Sequence, residues 1–61
     1  MTKDELKSTI MHAAYFRDSE GKLRIKKVKE NAFLAEDEDG EVYELFYCDY
    51  VFDRQKFEIL K

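Results

Sequence analysis

Cys48 and His12, the single cysteine and single histidine of this 61-residue chain, are its best candidates for nucleophilic chemistry. A thiol and its base must lie within hydrogen-bond reach, with a third group orienting the imidazole and an oxyanion hole alongside. Neither an orienting partner nor a glycine-rich donor loop is recognisable. Cys48 therefore reads as a small buried hydrophobe and His12 as a surface or helix-end residue. One cysteine beside one histidine also cannot complete a tetrahedral zinc site of the usual Cys/His kind. The acidic run Ala35-Glu36-Asp37-Glu38-Asp39-Gly40 invites comparison with a calcium loop. Placing Gly40 on the loop glycine puts Ala35 at the first ligand and Phe46 where a bidentate glutamate is required, so both anchors fail. A solvated hairpin tip is the expectation. Glu44, Asp49 and Asp53 have the chemistry of a general acid and base, but so short a chain has little volume to enclose a substrate. Gly21 and Gly40 stand alone in turns and make no phosphate cradle. The reading is of a non-enzymatic chain with no catalytic residue, no metal and no cofactor.

Binding chemistry is better represented. Glu41 to Asp53, EVYELFYCDYVFD, holds five of the nine aromatic residues beside four carboxylates. Tyrosine and phenylalanine contribute large contact area at small entropic cost. Tyr43, Tyr47, Tyr50 and Phe52 are thus candidate protein-binding residues, with Asp49 and Asp53 as a polar rim. The alternative is a nucleic-acid site on Lys22, Arg24, Lys26, Lys27 and Lys29, which supply its electrostatic half. Against it, the aromatics fall among Glu44, Asp49 and Asp53 rather than among the lysines. A net charge of -3, from 11 basic and 14 acidic residues, weighs the same way.

These residues need elements to position them. The composition, 44% hydrophobic and 41% charged with two glycines and no proline, is that of a folding chain. It reads as one domain spanning 1-61. A domain this small buries only about 60% of the surface its unfolded chain exposes, so the core is thin and self-association is one remedy. No apolar run approaches the ~20 residues of a membrane span, and MTKDELK lacks an apolar signal region. A cytoplasmic protein is expected, consistent with a lone thiol.

Thr2-Lys3-Asp4-Glu5 has the capping-box form, so a helix starts at Lys3. Leu6, Ile10, Ala13 and Ala14 recur at helical spacing. The helix runs either to Arg17 or only to about Met11, handing over to a strand before Asp18. Ser19 to Lys22 is turn-like, and Leu23 and Ile25 alternate with Lys22, Arg24 and Lys26. Lys26-Lys27 breaks the alternation and predicts a bulge. Glu30-Asn31 is a tight turn, Ala32 to Glu38 the next strand, and Asp39-Gly40 a two-residue hairpin turn. That turn would set Phe33 opposite Phe46, Leu34 opposite Leu45 and Glu36 beside Tyr43. It would also bring Lys22 to Asp39 and Arg24 to Asp37, pairing the basic stretch with the acidic one. Glu41 to Asp53 reads as one strand with Tyr43, Leu45 and Tyr47 on one face and Val42, Phe46, Cys48, Tyr50 and Phe52 on the other. Asp53 to Lys56 reads as a turn and Phe57 to Leu60 as a last strand.

The fold class is α+β, mainly β: an N-terminal helix, then a four- or five-stranded antiparallel meander. This order of elements resembles small SH3-like and Sm-like barrels, in topology alone, and implies a sheet that closes. The competing architecture is an open sheet crossed by a helix from Lys3 to Arg17. The functional expectation is a small intracellular adaptor, inhibitor or regulatory factor of bacterial or phage type. It binds a protein partner or a second copy of itself, and no membrane.

Overall fold

The Thr2 hydroxyl accepts from the Glu5 amide at 3.2 Å and the Glu5 carboxylate accepts from the Thr2 amide at 3.3 Å. This reciprocal cap satisfies two otherwise unpaired donors and starts helix α1, Lys3–Met11, where the sequence places it. The computed structural model describes residues 2–52 and 56–61. Leu6 and Ile10, one turn apart on α1, are both fully buried. His12 caps the C-terminal end, its amide on the Thr9 carbonyl at 3.2 Å. Sheet bonding begins two residues later, with the Ala14 amide donating to Leu60 at 2.9 Å and the Ala14 carbonyl accepting from Ile25 at 3.0 Å. A helix to Arg17 is thereby excluded. Strand β1, Tyr15–Asp18, follows, because pairing on both sides buries Phe16 completely.

Strands β2 (Gly21–Val28), β3 (Ala32–Glu36), β4 (Val42–Phe46) and β5 (Phe57–Leu60) complete a five-stranded antiparallel sheet in the order β4-β3-β2-β1-β5. Short helix α2, Tyr47–Val51, lies between β4 and β5. Among the described residues β4 and β5 do not pair, so the sheet is open and the barrel closure implied by the resemblance is absent.

The expected bulge is present, with the β2-β3 register shifting between Ile25 and Lys27. It repairs the broken alternation. Ile25 lies opposite buried Ala35, Lys27 opposite Leu34 on the other face, and Val28 returns opposite buried Phe33. The same shift places Arg24 opposite Glu36 instead of Asp37, and β3 ends at Glu36, before any partner for Lys22 at Asp39.

The β3-β4 hairpin departs from expectation by one residue. Asp37 and Glu41 close the ladder, and Gly40 takes a φ of 87° at the end of a three-residue loop. The Asp37 carboxylate holds this wider loop, accepting from the Asp39 and Glu41 amides at 2.9 Å each. Phe33 consequently faces Leu45, Ala32 faces Phe46 and Ala35 faces Tyr43, in place of the Phe33-Phe46, Leu34-Leu45 and Glu36-Tyr43 pairs. A one-residue slip exchanges the face each side chain shares with its neighbour.

A second correction concerns the aromatic segment, which is a strand only to Phe46 and a helical turn from Tyr47. The predicted turn at 53–56 lies mostly outside the described residues, whereas β5 matches its expected span.

Leu6 and Ile10 from α1 and Tyr47 and Tyr50 from α2 pack on one sheet face over Leu23, Phe33 and Ala35. Phe16 is central. Its ring lies 5.1 Å from Phe33, 5.0 Å from Tyr50 and 5.5 Å from Phe57. Each such aromatic pair adds about 0.5–1.5 kcal/mol beyond area burial. Removing a buried phenylalanine ring costs about 3–5 kcal/mol, as much as a domain of this size has in total. We expect Phe16→Ala to lose its cooperative thermal transition by circular dichroism, while Thr2→Ala keeps it at a cost of about 1 kcal/mol.

Candidate functional site

The candidate binding residues divide into two groups. Tyr47 is fully buried and Tyr50 nearly so. Three residues apart on a helical turn, they point the same way, whereas strand alternation would have sent them to opposite faces. The Tyr47 ring stacks 5.8 Å from Phe33, and its hydroxyl donates to the Lys29 carbonyl at 2.9 Å. Tyr50 packs against Phe16 and Phe57 and places its hydroxyl 3.4 Å from Asp18. Tyr43, Asp49 and Phe52 remain at the surface, and Asp53 lies outside the described residues.

Cys48 is exposed, contrary to the buried reading, because the turn that carries Tyr47 and Tyr50 inward directs its neighbour outward. His12 is an exposed helix-end residue, as expected.

Val42 and Phe46 join the surface group. The exposed large hydrophobics among the described residues are Met11, Tyr15, Val42, Tyr43, Phe46 and Phe52, and four of these six fall between residues 42 and 52. Val42 and Phe46 are 52% and 47% exposed, on the sheet face opposite the helices. A legible signal for them was the alternation Val42, Glu44, Phe46 in a strand with one charged face residue. It was masked by reading the strand on through Asp53.

Strand β4 also has an open backbone edge. Asp37 donates to Glu41 at 2.9 Å and Tyr47 donates to Asn31 at 3.3 Å, so the odd-numbered positions of this strand bond to β3. By antiparallel alternation the amides of Val42, Glu44 and Phe46 and the carbonyls of Val42 and Glu44 point to the unpaired side, while the Phe46 carbonyl, at the N-cap of α2, begins that helix.

The electrostatics of this edge are one-sided. Residues 31 to 53 contain no Lys or Arg and eight carboxylates: Glu36, Asp37, Glu38, Asp39, Glu41, Glu44, Asp49 and Asp53. Glu36 is answered by Lys26 at 3.8 Å and Glu44 by Lys29 at 2.9 Å, so among the described residues the basic and acidic stretches are joined by Lys26-Glu36 and not by the expected Lys22-Asp39 and Arg24-Asp37 pairs. Asp37 is held below the usual carboxylate range, chiefly by the Glu41 amide it accepts. The Tyr43 hydroxyl has one proton to share between Glu41 at 2.8 Å and Asp37 at 3.1 Å, and these two carboxylates push its ionisation well above the usual range.

The basic residues occupy the uncovered face. Leu60, Tyr15, Arg24, Glu36 and Val42 form one cross-strand row, and Lys27, Leu34 and Glu44 another. The Lys22 ammonium stands over the Tyr15 ring, 4.1 Å from its centroid. Lys26 and Lys29 are engaged with Glu36 and Glu44. The fold thus gives the basic strand one aromatic neighbour that sequence distance concealed.

Clefts between the strand tips hold about 130 to 320 Å³, at or below the low end of small-molecule sites. Among the described residues no cluster of three or more His, Cys, Asp or Glu is placed to hold a metal ion, and no helix is long and apolar enough to cross a membrane. No protein-family model, curated protein or solved structure matches the chain.

The site residues that turned inward set an alkaline limit on the fold. Burial first, and the Asp18 charge second, push the Tyr50 phenol up to about 12. An unfolded tyrosine ionises near pH 10. The folded state therefore retains a proton that the unfolded state loses, and this contribution is present below about pH 10 and declines from there toward pH 12. Urea midpoints should fall across that window, and Tyr50→Phe should flatten the fall.

Proposed function

We propose that this chain is a non-enzymatic protein-binding module of adaptor, inhibitor or regulatory type. Its contact surface is β4 and its flanks: Val42, Tyr43, Phe46 and Phe52, with Asp49 at the rim. The observation that carries this reading is the exposure of three large apolar side chains, Val42, Tyr43 and Phe46, on the edge strand β4 of a domain whose core is otherwise thin. Water contact with these side chains opposes no other visible need of the fold, and burying one such side chain against a partner returns about 1.5–3 kcal/mol. Tyr47 and Tyr50 support the surface from beneath, by fixing α2 against the sheet, and do not form it. A cytoplasmic setting belongs to the same reading, since an exposed free thiol at Cys48 suits a reducing compartment. A second copy of the chain is one form the partner could take.

Selection from a display library of folded protein fragments tests it. Binders recovered with the wild-type chain should lose at least tenfold in affinity for a Val42→Thr, Phe46→Ser double variant, which alters only exposed positions and should stay folded. Equal binding to both would move the site elsewhere.

A second reading, single-stranded nucleic acid on the uncovered face, is favoured by one observation, the Lys22 ammonium over Tyr15 beside Arg24 and Lys27. Lys26 and Lys29 already have carboxylate partners, so Arg24 and Lys27 are the informative positions. Binding to an oligonucleotide should weaken with salt at a log-log slope of about -0.7 per phosphate contact. It should vanish in an Arg24→Glu, Lys27→Glu variant. An affinity indifferent to that reversal would dismiss this reading.

A further inference from the structure

The protein-binding reading leaves the form of the partner open, and the β4 edge specifies one. Resting on that reading, we infer that an extended segment of a partner protein adds to β4 as a sixth strand, with apolar side chains at alternate positions and Lys or Arg between them or at its ends.

Backbone geometry is the first argument. Val42, Glu44 and Phe46 direct their amides, and Val42 and Glu44 their carbonyls, to the side of β4 that no strand occupies among the described residues. Proteins that must keep such an edge closed to other chains protect it with lysine, proline, a bulge or a covering element. Among the described residues no strand lies beyond β4. Strand β4 contains no lysine or proline, and the bulge of this sheet lies two strands away on β2. Its one charge, Glu44, is drawn onto the sheet face by Lys29 at 2.9 Å.

Side-chain geometry is the second. Val42 and Phe46 stand on one face of the edge and Tyr43 on the other, all exposed. An added strand would set its own alternating side chains beside both, taking affinity from the main chain and selectivity from these contacts.

Charge selects the chemistry of the occupant. The acidic tip Asp37, Glu38, Asp39 and Glu41 lies at one end of β4 and Asp49 beyond the other. Among the described residues none of these five takes part in an ion pair. A basic segment is attracted at both ends. A second copy pairing β4 against β4 about Glu44 would set Glu44 against Glu44 and each acidic tip against the other copy's Asp49, and like charges placed opposite one another destabilise a ladder.

The probe is a blocked synthetic peptide, Lys-Val-Lys-Val-Lys-Val, with Glu-Val-Glu-Val-Glu-Val and an alternately N-methylated Lys/Val peptide as controls. Amide exchange by NMR should show new protection at Val42, Glu44 and Phe46 on adding the basic peptide, at least tenfold weaker binding of the acidic one, and loss of binding on N-methylation. Glu44→Pro, which removes an outward amide that the ladder does not use, should abolish binding where Glu44→Gln does not. No binding up to about 1 mM, equal binding of basic and acidic peptides, or binding without protection of those amides would overturn the inference. Concentration-dependent protection without peptide would also overturn it, by showing that a second copy fills the edge. If the display-selected partners still depend on Val42 and Phe46 but ignore Glu44→Pro, strand addition fails and the protein-binding reading stands. If they ignore all three positions, both fail.

Discussion

Tyr47 enters the core with its ring stacked on Phe33 and its hydroxyl on the Lys29 carbonyl, and one helical turn later Tyr50 closes over Phe16 and Phe57. The rest of the structure depends on this change from strand to helix at Phe46-Tyr47. A strand continued past Phe46 would have sent successive aromatics to alternate faces and left one set in water. A helical turn sends Tyr47 and Tyr50 the same way, so two large side chains complete a core that α1 supplies with only two fully buried residues, Leu6 and Ile10. The cost falls on their neighbours. Cys48 and Asp49 turn outward, and β4 ends after five residues with nothing paired on its far side among the described residues.

Charge is organised by the same sheet. Basic residues of β2 and of the turn after it are joined to acidic residues of β3 and β4, through Lys26-Glu36 and Lys29-Glu44. Exposed pairs of this kind contribute little stability, about 0–1 kcal/mol each. Their consequence is to neutralise the middle of the outer face and leave the acidic surplus at the hairpin tip. There Asp37 has a structural role, since its carboxylate accepts the two amides that shape the loop. The residue that makes the tip acidic also fixes the β3-β4 register. That register sets Phe46 beside Ala32 on the open face and not beside Phe33 in the core.

Much of the fold was legible in local chemistry. The capping box at Thr2 and Glu5, the bulge at Lys26-Lys27, the turn at Glu30-Asn31 and the strand Phe57–Leu60 each rest on neighbours a few residues apart. Asp39-Gly40 was rightly placed in a hairpin but assigned too short a loop, because the Asp37 carboxylate, two positions earlier, widens it. The candidate site was legible only in part. Tyr43, Asp49 and Phe52 are exposed and Tyr47 and Tyr50 are core, while Val42 and Phe46, legible in the sequence as residues of one strand face, are exposed beside them. Aromatic content marks a segment that must contact something, yet it carries no information on whether that something is the chain's own core or another molecule.

The amino-acid sequence by itself determined where elements start, where the chain must turn and which segments carry charge of one sign, because caps, glycine at positive φ and alternation act over two to four residues. The tertiary structure alone decided the β3-β4 register, the end of α1 at Met11 and the division of the aromatic segment between core and surface. Each of those outcomes compares burial energies across strands that are distant in sequence. Phe16 is pulled into a strand by partners on β2 and β5, and Tyr47 into a helix by the space left over Phe33. Such comparisons exist only once the chain has folded back on itself.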